Sequence, residues 1–540
     1  MAKIGIVGAG FSGLTAGNYL AAQGHDVIIL EKHDKVGGGA QSWEKTVKPL
    51  GLKYIGESIH VLSHLDPGKE LRKTLEGAGL DVDKVVGELA RPANFARAVT
   101  REGEAVMPNS NLEWEKMLLQ KFPQEAKGIQ SFFQNMRSVN AERYVDTNPG
   151  WKKSLLEWTA GMPNYLSFVN AAAQGICRPG MAAGFILTPT WEKVLNKYFS
   201  STELKAHFQL LNGYVGLSSE ECTSNLMKVA LAFYTINGGA QMPKHGSFQK
   251  IPEALAEELG RKRGRVLTYT GIEELIIKEE KVKTLVVKAE KSINGLTKGN
   301  TYSFEVDEVI WTADPLTLVR YTENHLPSSY VQKIRKIEKS TSLTGFHAIV
   351  DENLEKLKNV FDVASLVVAE TFADIDDPHK ELYMTSPTLH REGLIYDLNG
   401  NPVEGRHVLN FYVQDRDRDG WIKGRKESGG NKGNYHEEKL HFMQEKIETI
   451  DDILGTDLKS WILHMDPLTP ATVARYMNNQ GEVYGVKSTP EQFIPNNLSK
   501  YTPIKNLILA SHYTFGAGGV PGALTEGKDA ARILLEKLGK

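Results

Sequence analysis

The hydrophobic pattern opens with a strand, a glycine turn, a helix and a second strand. Residues 4–7 are apolar and run into Gly8-x-Gly10-x-x-Gly13, after which apolar positions recur at helical spacing over 14–22. A second apolar run over 26–30 ends in Glu31. This order of elements predicts a nucleotide-binding unit of the Rossmann type at the start of the chain.

Later parts of the pattern separate into helical and extended segments. We predict helices over 68–78, 248–260 and 528–538, and a helical, aromatic-rich region broken by prolines over 91–235. Apolar runs bounded by turn residues predict strands over 266–289, 309–311, 343–350, 363–370, 381–385, 407–413 and 507–510. Residues 415–436 are polar and glycine-rich, which predicts a solvated loop, with a mobile lid as the alternative.

The first glycine motif has the residues that a dinucleotide pyrophosphate needs. Gly8 permits the tight turn, Gly10 has no Cβ to block the pyrophosphate, and Gly13 lets the helix pack closely against the strand. The helix N-terminus then presents free N–H groups to anionic oxygens. Glu31 lies about 20 residues downstream, where an acidic side chain accepts hydrogen bonds from ribose hydroxyls. We therefore predict a dinucleotide site with an unphosphorylated ribose.

A second glycine cluster bears on which dinucleotide binds. Gly37, Gly38 and Gly39 follow shortly after Glu31, and a nicotinamide-binding unit does not need them. The extended pattern resembles the FAD-binding fingerprint of flavoproteins of the glutathione reductase and amine oxidase type. The resemblance implies FAD rather than NAD as the cofactor.

The C-terminal stretch repeats the order of strand, glycine turn and helix. Gly518, Gly519 and Gly522 follow the apolar run over 507–510, and the residues after them leave no room for a further strand with a ribose-binding acid. We therefore predict that this stretch closes the first site. A helix N-terminus aimed at the flavin N1 and C2 carbonyl would stabilise the negative charge of reduced flavin.

Together these motifs resemble the phytoene desaturase superfamily, and within it the carotene isomerase and retinol saturase branch. Besides the glycines, the resemblance rests on the segments 243–248, 310–315, 501–510 and 518–523. Two stretches depart from the family pattern. Gly51-Leu-Lys-Tyr-Ile55 lacks the acidic residue of a Gly-Phe-x-Phe-Asp stretch, and Thr525-Glu526 replaces a Leu-Ser pair.

The resemblance implies an α/β fold with a Rossmann-type FAD-binding domain, similar to those of glutathione reductase and the amine oxidases. A discontinuous substrate domain of mixed β-sheet with a helical insertion would complete the chain. We predict that residues 1–90, 240–334 and 500–540 form the FAD-binding domain. Residues 91–239 are predicted as the helical region facing substrate or membrane, and residues 335–499 as the sheet and helices of the substrate domain.

The resemblance also implies a function, an FAD-dependent oxidoreductase that acts on carbon–carbon double bonds of an apolar polyene or isoprenoid such as a carotenoid or retinoid. Desaturation, saturation and isomerisation are all open, as are oxygen, a quinone and NAD(P)H as the electron partner. One alternative is a flavin amine oxidase, which needs an aromatic cage for its amine. Another is a non-enzymatic prenyl-binding protein of the same fold, which the intact glycines disfavour.

The candidate site residues follow from these motifs. His60 lies in a stretch that resembles the family's flavin-facing Gly-x-His segment, and it is the candidate catalytic residue. The residues predicted to bind the cofactor are Gly8, Ala9, Gly10, Phe11, Ser12, Gly13, Glu31, Lys32, Gly37, Gly38, Gly39, Ala40, Gln41, Ile272, Ala313, His512, Gly518, Gly519, Val520, Pro521 and Ala523. No ligand spacing supports a metal site.

Composition and charge narrow the choice of partners. The 540 residues carry 64 Lys and Arg against 66 Asp and Glu, a net charge of -2 that gives no electrostatic argument for nucleic acid. Cys177 and Cys222 have no CxxC spacing, so we expect buried free thiols. Because the first strand begins at once and no apolar run approaches about 20 residues, neither a signal peptide nor a spanning helix is expected. We expect a cytoplasmic protein, with peripheral contact to the cytosolic face of a membrane as a further expectation.

Overall fold

A computed structural model describes residues 1–137, 190–236, 238–293, 295–415, 417–477, 479–492, 497–515 and 518–539. The middle of the predicted helical region, with Cys177, lies outside the described residues. Cys222 is a buried free thiol, as expected, and its burial raises its pKa.

The strands of the described residues form five sheets. In chain order they are β1 (Lys3–Val7), β2 (Asp26–Leu30), β3 (Ser42–Val47), β4 (Leu52–Glu57), β5 (Leu89–Ala90), β6 (Asn94–Thr100), β7 (Gly103–Pro108), β8 (Met242–Pro243), β9 (Arg265–Leu267), β10 (Thr270–Lys278), β11 (Lys281–Ala289), β12 (Thr301–Glu305), β13 (Glu308–Trp311), β14 (Ser342–Asp351), β15 (Val363–Val368), β16 (Leu382–Thr385), β17 (Ile395–Asp397), β18 (Arg406–Asp415), β19 (Ile462–Leu468) and β20 (Leu507–Leu509).

The α-helices of the described residues lie between Phe11 and Lys537. They are α1 (Phe11–Ala22), α2 (Glu70–Gly77), α3 (Val82–Val86), α4 (Asn111–Lys121), α5 (Ala126–Met136), α6 (Trp191–Tyr198), α7 (Thr202–Gln209), α8 (Asn212–Val215), α9 (Ser224–Leu231), α10 (Lys250–Arg261), α11 (Pro315–Thr322), α12 (Ser328–Arg335), α13 (Arg418–Glu427), α14 (Gly433–Leu454), α15 (Leu458–Trp461), α16 (Pro470–Met477), α17 (His512–Phe515) and α18 (Val520–Lys537). Within the described ranges, no helix combines the length and apolar composition needed to cross a bilayer.

A parallel sheet forms the nucleotide-binding core, with its strands in the order β20-β13-β1-β2-β9. The register places Ile6 of β1 between Ile29 of β2 and Ile310 of β13, and all three side chains are buried. Strands covered on both faces have continuous apolar sequences, and such runs made these strands predictable from the sequence. Helices α10 and α18 both pack against α1. The predicted α/β fold with a Rossmann-type domain is confirmed.

A seven-stranded sheet, β19-β14-β18-β16-β15-β6-β7, forms the second layer. One face carries Phe346, Leu366 and Phe411, which pack with Met443 and Ile447 of α14 in a common hydrophobic core. Because side chains alternate between the two faces of a strand, the intervening residues point the other way. The second face is therefore free to carry polar and aromatic side chains.

The predicted helical region starts later than expected. Residues 94–108 form the hairpin β6-β7, and β6 pairs in parallel with β15 of the large sheet. The first helix after it begins at Asn111. Only Arg101 and Glu102 separate the two extended runs, and such a short separation is typical of a hairpin. The prediction missed it because these runs were grouped with the aromatic helices that follow. The three-part division of the chain into domains stays a prediction.

The prediction of a solvated loop over 415–436 is wrong for most of that segment, which forms α13 and the start of α14. The side chain of Asp417 caps α13 by accepting a hydrogen bond from the Gly420 N–H at 3.0 Å. The indole N–H of Trp421 donates to Asp415 Oδ2 at 2.8 Å. These caps supply local order that a polar, glycine-rich composition does not reveal.

The close packing of the large sheet can be tested at one glycine, with a second glycine in a helix as the control. A Cβ on Gly345 in β14 would lie 2.0 Å from the Phe411 carbonyl oxygen, whereas a Cβ on Gly260 in α10 would meet nothing within 4 Å. We expect Gly345→Ala to lower the free energy of unfolding by about 1–3 kcal/mol through overpacking. Gly260→Ala should raise it by about 0.5–1 kcal/mol, since alanine costs less entropy in a helix. Thermal unfolding of both variants beside the parent measures this, and equal midpoints for the two would contradict the close approach of β14 to β18.

Candidate active site

A cavity of about 1180 Å³ lies between the parallel sheet and the seven-stranded sheet. Its nucleotide-binding end is lined by the loops that follow β1, β2, β13 and β20. This is the carboxyl edge of the parallel strands, where open α/β sheets bind their ligands. Most of the predicted site residues line the cavity, namely Gly8, Gly10, Phe11, Ser12, Glu31, Lys32, Gly37, Gly38, Gly39, Ala40, Gln41, His60, Ile272, Ala313, His512, Gly519, Val520, Pro521 and Ala523.

Three predicted residues lie outside the lining and have other roles. The backbone N–H of Ala9 donates to Glu31. Gly13 allows α1 to approach the turn, because a Cβ there would lie 2.1 Å from the Gly8 carbonyl oxygen. Gly518 packs against Tyr484, with a Cβ position 2.8 Å from that ring. Direct contact of the predicted residues with a cofactor stays a prediction.

The first glycine turn has room for a dinucleotide pyrophosphate. Gly8 adopts a φ of 105°, a left-handed conformation that favours glycine. The nearest atom to a Cβ built on Gly10 is the Gly38 Cα at 3.8 Å, so the missing side chain leaves open space in the cavity wall. A phosphate could occupy that space against the N-terminus of α1.

Glu31 is held in place by backbone donors at the end of β2. Its Oε2 accepts from the Ala9 N–H at 2.8 Å, and its Oε1 accepts from the His33 N–H at 2.9 Å. A carboxylate offers about four acceptor positions, so capacity remains for ribose hydroxyls. The remaining acceptor positions of Glu31 fit the ribose hydroxyls in the adenosine half of FAD.

The second glycine cluster folds back onto the first. The Gly37 N–H donates to the Ala9 carbonyl at 2.8 Å, and Gly37 and Gly38 have φ values of 118° and 61°. A short 3-10 helix, Gly38–Ala40, follows. A Cβ on Gly38 would lie 3.0 Å from the Gly10 Cα. Glycine at both places therefore allows the two loops to form one continuous cradle.

The C-terminal glycine turn ends in α18, which begins at Val520 rather than at residue 528 as predicted. Gly519 precedes it with a φ of 90°, and Pro521 lies in the first turn, where its missing N–H leaves no intrahelical bond unmade. The predicted start was later because the four glycines between 518 and 527 are typical of a loop. Gly527 is instead needed inside the helix, because a Cβ there would lie 2.2 Å from the Ser12 carbonyl oxygen of α1.

The Thr525-Glu526 departure from the family pattern has a packing explanation. Glu526 is fully buried and forms an ion pair with Lys500 at 2.5 Å, and Thr514 also donates to its carboxylate. Asp529 lies 3.1 Å from the same ammonium group, and together the two carboxylates raise the pKa of Lys500 despite its burial. The pair fastens α18 to the segment that leads into β20.

His60, the candidate catalytic residue, lines the cavity as a neutral imidazole. Burial lowers its pKa to about 3, and His347 and Arg391 add to the effect. Its Nδ1 lies 3.4 Å from Thr385 Oγ1, and its ring centroid lies 5.1 Å from that of Tyr412. A neutral imidazole can donate one hydrogen bond and accept another, but it carries no charge near neutral pH. Its catalytic role stays a prediction.

Sequence reasoning missed a cluster of tyrosines in the cavity wall. They come from distant parts of the chain and are Tyr214, Tyr234, Tyr383, Tyr412 and Tyr484. Burial raises the pKa of each phenol, that of Tyr234 to about 12. Because side chains alternate along a strand, the sequence could assign Tyr383 to one face of β16 and Tyr412 to one face of β18. Their pairing across the strands is visible only in the register.

A buried ion pair was also missed. Arg391 lies 2.5 Å from Glu57 at the end of β4, and both side chains are almost fully buried. Arg391 also donates to the carbonyl oxygens of Pro243 and Gly246 at 3.0 and 2.6 Å. The pair joins three segments beside the cavity, and no local signal in the sequence identifies it.

Other aromatic residues of the predicted helical region belong to a hydrophobic core instead of the cavity wall. Phe132, Phe133 and Trp191 are buried in the hydrophobic core, where Phe132 lies 4.7 Å from Phe208 between ring centroids. They support the helices behind the hairpin β6-β7. Aromatic residues at helical spacing thus mark a core in this region.

Comparison with known proteins places this site in a family. Residues 11–535 match the family described as flavin containing amine oxidoreductase. Among curated relatives, an inactive all-trans-retinol 13,14-reductase of Danio rerio is 22% identical, over 98% of this chain and 85% of its own length. A 4,4'-diapolycopene oxygenase of Methylomonas sp is 23% identical, over 96% and 94%. A 4,4'-diapophytoene desaturase of Staphylococcus haemolyticus is 23% identical, over 99% of both.

Solved structures share the fold at low identity. An oxidoreductase from Methanosarcina mazei is similar with a TM-score of 0.58 at 12% identity, over 98% of this chain and 100% of that one. The cyclohexylamine oxidase of Brevibacterium oxydans has a TM-score of 0.57 at 13% identity, over 100% of both chains. The family match and the dinucleotide cradle confirm the predictions of an oxidoreductase and of FAD as its cofactor. The chain belongs to the family of flavin containing amine oxidoreductases.

Proposed function

We propose that the protein acts on carbon–carbon double bonds of an apolar polyene or isoprenoid, by desaturation, saturation or isomerisation. The observation that carries the proposal is a single cavity that joins the glycine cradle to the tyrosine-bearing face of the seven-stranded sheet. A long, flat apolar substrate suits such a wall, because aromatic rings offer large contact areas without charge. The relatives named for retinol, diapolycopene and diapophytoene support the same substrate class.

The chain's own residues provide binding and a dry, preorganised setting. FAD, when bound, supplies hydride chemistry. The cradle of Gly8, Gly10 and Gly38 would hold its pyrophosphate, and Glu31 would hold its ribose. The N-terminus of α18 at Val520 presents unpaired N–H groups to negative charge. The buried tyrosines exclude water from the substrate.

Amine oxidation is the second candidate. The cluster of Tyr214, Tyr383 and Tyr412 offers the aromatic surroundings that an amine substrate requires. Tyr214 and Tyr383 lie 5.3 Å apart between ring centroids, at an interplanar angle of 88°. We favour the polyene because the curated relatives, at 22–23% identity, are named for polyene substrates, whereas the cyclohexylamine oxidase is only 13% identical.

Membrane contact and the electron partner stay predictions. Among the described residues of the predicted helical region, Leu112 is the large hydrophobic side chain with high exposure, at 66%. An apolar substrate dissolved in lipid would require the protein to approach a bilayer. Oxygen, a quinone or NAD(P)H could complete the electron balance.

The cradle can be tested by Gly10→Ala. We expect the variant to fold, because the new Cβ would lie 3.8 Å from the nearest atom. It should lose most FAD, because the methyl group would occupy the space of the pyrophosphate. The measurement is the flavin absorbance of the purified protein, with Gly260→Ala as the control that should keep full occupancy. Full occupancy in Gly10→Ala would show that the pyrophosphate lies elsewhere.

The closing turn can be tested by Gly519→Ala. Its φ of 90° strains any other residue, so the N–H groups at the start of α18 should move. Losing about 0.5–1 kcal/mol of dipole stabilisation would lower the flavin reduction potential by about 10–20 mV for a two-electron couple. FAD binding should weaken as well.

The matched control is Gly429→Ala after α13. Gly429 has a φ of 64°, so its replacement also introduces backbone strain, at a residue that does not line the cavity. A redox titration of both variants separates strain from a local effect. Equal potentials in the two variants would withdraw the flavin-facing role from Gly519.

The proposed reaction can be tested with the FAD-loaded protein under anaerobic conditions. Oxidised protein is mixed with a carotenoid precursor that has few conjugated double bonds, and dithionite-reduced protein with a fully conjugated polyene. We expect a flavin absorbance change or isomerisation, with products separated by chromatography and assigned by mass. Gly10→Ala should be inactive. Flavin reduction by primary amines alone, without any change in the polyenes, would favour the amine candidate instead.

A further inference from the structure

Glu381 is a buried carboxyl group in the lining of the cavity. Only 2% of its surface is exposed, and it directly precedes strand β16. Because side chains alternate along a strand, Glu381 shares a face with Tyr383 and Thr385. Thr385 reaches His60, which places Glu381 about 13 Å farther along the same face. The carboxyl group therefore lies well away from the candidate catalytic histidine.

Neither carboxyl oxygen of Glu381 has a hydrogen-bond partner in the part of the chain that the structure describes. The amide oxygen of Gln414, in β18, is likewise buried without a partner, although its Nε2 donates to the Gly213 carbonyl at 2.9 Å. Gly213 lies between the two side chains, since a Cβ on it would be 2.9 Å from Glu381 Oε2. All three residues line the cavity.

Buried polar atoms in proteins almost always have partners, because leaving them unpaired costs free energy. Glu381 and Gln414 leave three such atoms together at one place in a cavity. A ligand inside the cavity can supply the hydrogen-bond partners that these atoms lack. The arrangement is typical of a binding site whose partner comes with the substrate.

The protonation state of Glu381 determines whether its carboxyl group can donate a hydrogen bond to a ligand. Burial, and then the negative charges of Asp376 and Asp377, raise its pKa well above the ordinary range. A neutral carboxyl group has one O–H donor, and the Gln414 amide oxygen beside it is an acceptor. His379, the titratable neighbour on the side of β18, contacts the backbone carbonyl of Gln414 through its Nδ1. One donor next to one acceptor complements an alcohol, which accepts one hydrogen bond and donates one.

The neighbouring tyrosines do not compete for that alcohol. The hydroxyl groups of Tyr214 and Tyr383 are both hydrogen-bonded to Ser365 Oγ. Their rings therefore form apolar parts of the cavity wall. A substrate that reaches Glu381 would therefore be apolar along its length and polar at its end.

We propose that Glu381 and Gln414 bind a terminal hydroxyl group of the polyene substrate and so select alcohols over hydrocarbons. Glu381 donates to the hydroxyl oxygen, and the hydroxyl hydrogen is donated to Gln414 Oε1. The inference rests on the proposed function, since it names the end group of the polyene that the cavity takes. Glu381 is a specificity-determining residue and takes no part in the reaction itself.

The test measures the affinity of the FAD-loaded protein for three matched probes, which are retinol, its methyl ether and the corresponding primary amine. Binding is followed by the change in polyene fluorescence with the flavin oxidised. We expect the alcohol to bind at least tenfold more tightly than the ether, which lacks the donated hydrogen. The amine should bind no better than the ether, because a neutral carboxyl group offers no counter-ion.

Three variants locate the effect. Glu381→Leu should reduce the preference for alcohol over ether to less than threefold, while Glu381→Gln should retain most of it through its amide N–H donor. Glu370→Leu is the control, since Glu370 is half-exposed at the end of the neighbouring strand and pairs with Arg101. It should leave the preference unchanged. Flavin absorbance and the thermal midpoint report folding, and removing an unpaired buried carboxyl group should not lower the midpoint.

Each other result overturns the proposal in a distinct way. Equal binding of alcohol and ether by the parent protein would mean that water satisfies Glu381, while the polyene function would stand. Tightest binding of the amine, lost in both Glu381 variants, would mean an ionised carboxylate and an amine substrate. Loss of folding in both variants would make Glu381 a structural residue. Failure of the parent to bind any of the three probes would overturn this inference, whereas the polyene function is decided by the reaction test with carotenoid substrates described above.

Discussion

The close contact between the first and last helices holds the nucleotide-binding end of the cavity together. Gly527 in α18 approaches the Ser12 carbonyl so closely that a side chain would overlap it. Ser12 in turn donates to the Ala510 carbonyl beyond β20 at 2.5 Å. The glycine turn after β1 and the glycine turn before α18 consequently face the same space. Any change that separates these helices would open both walls of the flavin site at once.

The large sheet divides two tasks between its faces. Phe346 and Phe411 stack at 5.0 Å between ring centroids on the face that packs with α14. His347 and Tyr412, one position along the same strands, line the cavity. The packed face fixes the register, and the register fixes which side chains meet in the cavity. Stability and substrate recognition thus depend on the same hydrogen bonds between β14 and β18.

Features encoded by adjacent residues could be predicted, and features formed across the chain could not. The glycine turn, Glu31 and the strand before them are determined by local backbone geometry, so the Rossmann-type core and FAD followed from about forty residues of pattern. The pair of Arg391 and Glu57 joins residues 334 positions apart. Glu381 was seen only as the start of a strand, because its unpaired oxygens become evident only once its surroundings are known. The helix over 418–427 was missed because the side chain of Asp417 caps it within a stretch of polar, glycine-rich composition.

The order of strands in the parallel sheet has a consequence for synthesis of the chain. β1 is the central strand, yet it pairs with β13, whose last residue is Trp311, and β13 pairs in turn with β20, which ends at Leu509. A chain leaving the ribosome must therefore carry one open edge of its first strand while some three hundred residues are added. Exposed edges of apolar strands are sites of unwanted pairing. The parallel sheet can therefore close only after β13 and β20 have been made, and β1 keeps an unpaired apolar edge until then.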